Sequence, residues 1–307
     1  MKKDLISIKD LTSAEIENIF SLTDKLKKHK AKFSKVLQGK TLALIFQKPS
    51  NRTRVSFEVG MYQLGGNSIY LGPGEINLGV RESVKDVART LSRYVDAIVL
   101  RTFEHENILE MSRAASVPVI NGLSDFSHPC QALADVYTIT EKFENLKTIT
   151  LAYIGDGNNV CNSLMLVSAK VGLNLNIGTP RGYEPDKAVV KEAKAIAQSK
   201  KSSLNLFCNP TEAAKGADII YTDVWASMGQ EEETQKRKEI FKDFQINKNL
   251  MKLAKKEALI MHCLPAHRGE EITGEVIDSK NSIVFDQAEN RMHVQKAVLI
   301  TLLAGKR

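Results

Sequence analysis

The segment KTITLAYIGDGNNVCNSLMLVSAKVGLNLNIGTP, residues 147–180, decides the fold. Its first part, KTITLAYIG (147–155), is short, apolar and dense in β-formers, and reads as a buried strand. NNVCNSLMLVSAKVG (158–172) reads as a helix, and LNLNIGTP (173–180) as the next strand. Strand, helix and strand in this order form a right-handed βαβ unit with parallel strands.

The same alternation continues in both directions. Toward the C-terminus, SLNLF (203–207), DIIYTDV (218–224), ALIMHCLP (258–265) and SIVFD (282–286) read as further strands separated by helical stretches. Toward the N-terminus, TLALIF (41–46), NSIYL (67–71), DAIVLRT (96–102) and VPVIN (117–121) form an earlier set. Between them, RVSFEVGMYQL repeats an apolar face at Val55, Val59 and Tyr62 and stops at Gly65-Gly66; ESVKDVARTLSRY puts Val84, Val87, Ala88, Leu91 and Tyr94 on one face. The expected class is α/β: two doubly wound parallel-sheet domains joined by bridging helices. One domain comprises residues 1–130 with a C-terminal helix at 288–307, the other residues 147–287, and an interdomain helix occupies 131–146.

Composition narrows the function classes. The chain has 307 residues and a formal net charge of +7. Its lysines are scattered and not interleaved with aromatics, so a nucleic-acid surface is not expected, and a field for a small anionic substrate suits the charge equally well. No apolar run approaches the ~20 residues of a membrane span, and the charged N-terminus lacks the apolar core of a signal peptide. The four cysteines form no CxxC pair and read as reduced thiols. The expectation is a cytoplasmic protein with no membrane or nucleic-acid partner.

In open parallel sheets ligands bind beyond the carboxyl ends of the strands. QKPSNRTRVSFE (47–58) follows the first strand. Ser50 is a good N-cap, and the helix it opens presents free N–H groups together with the hydroxyl of Thr53 and the guanidinium groups of Arg52 and Arg54. The plain alternative is a capped surface helix, but arginine in a first turn opposes the helix dipole. An anion, most naturally a phosphate, resolves that conflict. Arg101 ends the strand IVLRT, where a solvated arginine is the simpler reading. His128 and Gln131 lie one turn apart at the start of the bridging helix, where the histidine alone would be a structural cap.

In the second domain, IGDGNNV (154–160) follows a strand and opens a helix, but Val160 stands where a dinucleotide fingerprint needs its third glycine. Asn158 and Asn159 there offer amides to a polar ligand. Asp223 ends another strand, EEETQKRKE (231–239) reads as a solvated helix with i,i+4 pairs at Glu232–Lys236 and Glu233–Arg237, and MHCLPAHRGEE (261–271) sets Cys263 between His262 and His267. That thiol could ligate a metal, act as a nucleophile or pack at a strand end. No further ligand cluster at metal spacing appears in the sequence.

Four motifs in this order, SNRTR (50–54), HPCQ (128–131), DVWASMG (223–229) and HCLPAHRGEE (262–271), resemble the aspartate/ornithine carbamoyltransferase family over nearly the whole chain. The last two are similar to its ornithine-specific branch; Asn51 departs from the threonine often found there. The resemblance implies transfer of the carbamoyl group of carbamoyl phosphate to the side-chain amine of L-ornithine, giving L-citrulline and phosphate, as a step of arginine metabolism. It implies that Ser50, Asn51, Arg52, Thr53 and Arg101 bind phosphate, with Asn77 of GEINLG a further contact. His128, Gln131, Arg291 and the Leu264 carbonyl would hold the carbamoyl group. Asn159, Asp223, Ser227 and Met228 would bind ornithine, and Cys263 would lie where the substrates meet, orienting the amine or taking its proton. Catalysis would rest on Cys263, Arg101 and His128, with no metal or organic cofactor. The family is trimeric, so a homotrimer or an assembly of trimers is implied. Closure of two domains over the substrates would orient them and exclude water.

Overall fold

A computed structural model describes residues 4–226 and 233–304. The chain divides into two units, residues 1–134 with 290–307 and residues 135–289.

The first unit is built on four parallel strands, β1 (Thr41–Phe46), β2 (Asn67–Leu71), β3 (Ala97–Arg101) and β4 (Val119–Leu123), in the order β2-β1-β3-β4. The helices run from α1 (Ser13–Lys28) through α2 (Asn51–Gln63), α3 (Pro73–Ile76), α4 (Val84–Leu91) and α5 (His105–Ala114) to α6 (Pro129–Lys142). β1 and β3 are buried almost throughout, as strands paired on both sides and covered on both faces must be. The N-terminal segment adds one bridge, Leu5 to Ile120. Strand order reverses between β1 and β3, and Phe46 pairs with Arg101 there. The ends of these two strands therefore open the crevice in which such sheets bind ligands.

The second unit has five parallel strands, β5 (Thr150–Ile154), β6 (Asn174–Gly178), β7 (Leu204–Phe207), β8 (Ile219–Thr222) and β9 (Leu259–His262), in the order β7-β6-β5-β8-β9. Its helices are α7 (Asn159–Val171), α8 (Lys187–Lys200), α9 (Pro210–Ala214), α10 (Thr234–Phe241), α11 (Lys248–Met251), α12 (Gly274–Ile277) and α13 (Val284–Leu303). The reversal lies between β5 and β8, so residues just after β5, β8 and β9 share one edge. Helices α6 and α13 each carry the chain across the division between the units. Two parallel-sheet α/β domains joined by bridging helices is the observed class.

Three local expectations fail. SIVFD is not a strand: Ser282 makes a single bridge to Ile260, and α13 begins at Val284. In α2 the buried face is Thr53, Phe57, Gly60 and Met61, whereas Val55 is 52% and Tyr62 81% exposed. Tyr94 lies beyond the end of α4 and is 73% exposed. In the last two cases the apolar side chains lie on the surface, where folded proteins also carry apolar residues.

Candidate active site

In the first unit the loop after β1 leads into α2. The Ser50 hydroxyl accepts from the Thr53 N–H at 3.3 Å, the bond expected of an N-cap. The Asn51 carboxamide accepts from the Arg52 N–H at 2.6 Å. Arg54 does not serve this end of the helix: it pairs with Glu58 at 3.0 Å and lies over the Tyr70 ring at 3.7 Å. Its i,i+4 carboxylate and an aromatic face compete successfully for it. Asn77 ends α3 in the left-handed region, with φ of 42°. Gln47 donates to the Leu78 carbonyl at 3.0 Å and so ties this loop to the end of β1.

Arg101, Arg52, Arg291 and His128 gather at the same end. Arg101 is buried, and its Nε has no hydrogen-bond partner among the described residues. Burial, then the charges of Arg291 and Arg52, pull its pKa down to about 10. His128 is held far below the usual histidine range by burial and by Arg291, Arg101 and Arg52, so the ring is neutral near pH 7. Arg291, on α13, donates to the Gln131 carboxamide oxygen and, at 3.4 Å, to the Thr53 hydroxyl. It thereby links the starts of α2 and α6. The charges of Arg291 and Arg52 bear on Arg101, and all three guanidinium groups bear on the imidazole. Such a cluster is a positive field, suited to a small dianion.

The second unit collects a different set. Asp223 follows β8 and Cys263 follows β9. The Cys263 thiol lies 2.9 Å from Asp223 Oδ1, and Asn158 donates to Asp223 Oδ2 at 2.8 Å. Asn158 also caps α7, accepting from the N–H groups of Val160 and Cys161. Asn159 is the first residue of α7 and is buried; its carbonyl accepts from Ser163 at 3.0 Å. Desolvation and the Asp223 charge raise the Cys263 thiol well above its usual range, so sulfur keeps its proton and donates it to the carboxylate. Ser227 and Met228 lie outside the described residues.

His262 is part of the frame. Its Nδ1 accepts from the Leu264 N–H at 2.8 Å, which leaves the proton on Nε2, 3.0 Å from Glu271 Oε1. Leu264 itself takes a left-handed backbone conformation, φ 59°. The His262 N–H donates to Gln287 at 3.0 Å, Gln287 to Asp135 at 2.7 Å, and the Tyr221 hydroxyl to the second Asp135 oxygen at 2.9 Å. This chain ties the ends of β8 and β9 to α6 and α13. Asp223 does join His262 and Cys263 as a third potential metal ligand, which the sequence did not reveal. With both ring nitrogens engaged, however, His262 has no lone pair to give.

Arg237 is the residue most clearly missed. The reading of 231–239 as a solvated helix holds over residues 234–239 except at Arg237, which is buried and donates to Asp156 and to the Trp225 carbonyl, each at 2.9 Å; Glu231 and Glu232, with the expected Glu232–Lys236 pair, lie outside the described residues. The expected Glu233 pair forms as well, at 3.1 Å. Burial lifts the Asp156 carboxyl to about 6, and Arg237 pulls against it. Gly157 next door is glycine because the backbone of Tyr183–Pro185 fills the space a Cβ would need. This glycine of IGDG thus serves packing of the chain on itself.

Comparison with known proteins places both halves. Residues 3–141 match the model described as "Aspartate/ornithine carbamoyltransferase, carbamoyl-P binding domain", and residues 147–302 match "Aspartate/ornithine carbamoyltransferase, Asp/Orn binding domain". The ornithine carbamoyltransferase of Thermococcus kodakarensis is 53% identical, with 99% of this chain and 97% of the relative aligned. That of Pyrococcus horikoshii is 55% identical over 99% and 96%. The solved structure of the Pyrococcus furiosus ornithine carbamoyltransferase superposes with a TM-score of 0.95 at 52% identity, covering 99% of this chain and 98% of the other.

Proposed function

The chain belongs to the aspartate/ornithine carbamoyltransferase family, and from that premise we propose how its residues carry out the reaction. It transfers the carbamoyl group of carbamoyl phosphate to L-ornithine, producing L-citrulline and phosphate. The neutral δ-amine attacks the carbamoyl carbon, a tetrahedral intermediate forms, and the C–O bond to phosphate breaks.

The observation that carries the residue assignment is the group of three arginines around a neutral imidazole. Ser50, Asn51, Arg52, Thr53 and Arg101 bind the phosphate, with Asn77 a further contact. Negative charge grows on this group as it departs, and fixed donors act most strongly on such charge. His128, Gln131 and Arg291 polarise the carbamoyl oxygen, and the Leu264 carbonyl receives its NH2. A neutral His128 can donate one hydrogen bond without adding a fourth charge. Residues 1–130 with 288–307 form the carbamoyl phosphate-binding domain and residues 147–287 the ornithine-binding domain, with 131–146 between them.

Asp223 takes the α-ammonium of ornithine, aided by Asn159, Ser227 and Met228. An aspartate acceptor would bring a second carboxylate and would need cations where this set offers a carboxylate, a thiol and amides. Cys263, its thiol protonated and held by Asp223, sits by the δ-amine and orients it. The enzyme is cytoplasmic and needs no cofactor; none of the described helices is long and apolar enough to cross a membrane. It works as a homotrimer or an assembly of trimers. Val55, Tyr62, Ile69, Val80 and Tyr94 of the first unit leave large apolar groups exposed that an assembly would cover.

The test is citrulline formation by purified protein against a panel of acceptor amines. Turnover with ornithine and none with aspartate or putrescine is expected. Turnover with either of the latter alone would sink the ornithine assignment.

A further inference from the structure

We propose that the loop after β9 holds one divalent transition cation, bound by His267, Glu270 and Glu271. The three ligand atoms lie within 4.8 Å of one another. His267 Nδ1 is 3.9 Å from Glu270 Oε2 and 4.0 Å from Glu271 Oε2. Ligands around a tetrahedral zinc ion stand roughly 3.3 Å apart, given bonds of about 2.0–2.2 Å. His267 is exposed and Glu270 half-buried, so small side-chain rotations close that difference.

The second observation is the state of Glu271. Its side chain is fully buried, and Oε1 accepts from the His262 ring at 3.0 Å and from the His267 N–H at 2.6 Å. Oε2 is buried as well and has no hydrogen-bond partner among the described residues. A carboxylate oxygen in that state carries an uncompensated desolvation cost, and it faces an imidazole nitrogen. A cation between the two removes the cost.

The backbone holds the donors in place. The Glu270 N–H donates to the His267 carbonyl at 2.9 Å, closing a turn, and Gly269 takes φ of 91° within it. Gln245 clamps that turn from outside, donating to the carbonyls of Gly269 and Glu270 at 2.9 Å each. Lys238 pairs with the other Glu270 oxygen at 2.8 Å and lowers the negative charge of the site. One imidazole with two carboxylates suits zinc or manganese. The neighbouring trio of Asp223, His262 and Cys263 lacks a free imidazole lone pair, so His267 is the nitrogen donor. Bound there, the ion ties the exposed turn to the buried Glu271–His262 pair.

The test is equilibrium dialysis of the full chain against Zn2+ in a Cys208→Ser, Cys263→Ser background, which removes the exposed and half-exposed thiols. One saturable equivalent is expected, with a rise in melting temperature on adding zinc. His267→Ala and Glu270→Gln should each weaken binding by at least about tenfold and abolish that rise. Both positions are solvent-accessible, and circular dichroism confirms that the variants fold. Absence of saturable binding in the parent, or a smaller loss in either variant, overturns the proposal.

Discussion

The two units use one architecture for opposite electrostatic ends. At the strand ends of the first, Arg52 and Arg291 repel Arg101, all three press on His128, and Arg101 Nε has no hydrogen-bond partner among the described residues. At the strand ends of the second, the buried arginine, Arg237, has its carboxylate, and the Asp223 carboxylate has an amide and a thiol. One unit gathers like charges at the edge where an anionic substrate would bind; in the other a carboxylate meets guanidinium, amide and thiol within the chain. Binding energy is thus concentrated on the leaving group, where charge develops.

Exchanging arginine for methionine in each unit tests this contrast most directly. Arg101→Met should lower kcat/KM about a thousandfold, or ~4 kcal/mol. It should also stabilise the ligand-free chain by about 1–2 kcal/mol, because a desolvated and repelled charge is gone. Urea midpoints in phosphate-free buffer check this; a less stable variant breaks the comparison. Arg237→Met should do the reverse, costing about 3 kcal/mol of stability by leaving Asp156 buried without its cation. A midpoint unchanged from wild type would mean that Asp156 is relieved in some other way.

Cys263→Ala comes next. Turnover should fall roughly a hundredfold, with far-UV circular dichroism and melting unchanged, since Asp223 keeps its bond from Asn158. A variant with normal turnover removes the thiol from the mechanism. The smallest effect is a pH slope. Folded, His128 takes up a proton far less readily than in the unfolded chain, whose histidines titrate near 6.5. Below that pH the unfolded state therefore binds more protons, and stability falls by up to about 1.4 kcal/mol per pH unit. His128→Asn should flatten this part of the slope between pH 6.5 and 5; an identical slope in wild type and variant counts against a neutral buried ring.

Much of this was legible in the chain. Strand ends follow from apolar periodicity, and the strand-end rule then selects Ser50, Arg101, Asp223 and Cys263. What periodicity does not carry is the direction in which a polar side chain turns. Arg54 and Arg52 flank Thr53 in one helical turn, yet Glu58 and Tyr70 draw Arg54 away. Arg237 sits in a charged run, and nothing local reveals a buried partner 81 positions earlier. The chain from Tyr221 through Asp135 and Gln287 to His262 joins residues up to 152 positions apart, and no spacing rule finds it. The misread face of α2 has a different cause: an apolar stripe records what must be covered, and the cover for Val55 and Tyr62 need not come from the same chain.

The division of the chain has a consequence for its synthesis. The unit begun by residues 1–134 is completed only by residues 290–307, which include Arg291. Translation of the intervening stretch, about 155 residues, takes roughly 8–30 s at ordinary elongation rates. During that interval the first unit waits with its arginine cluster one member short. A premature stop just before Asn290 would therefore spare the later-made unit and cripple the earlier one.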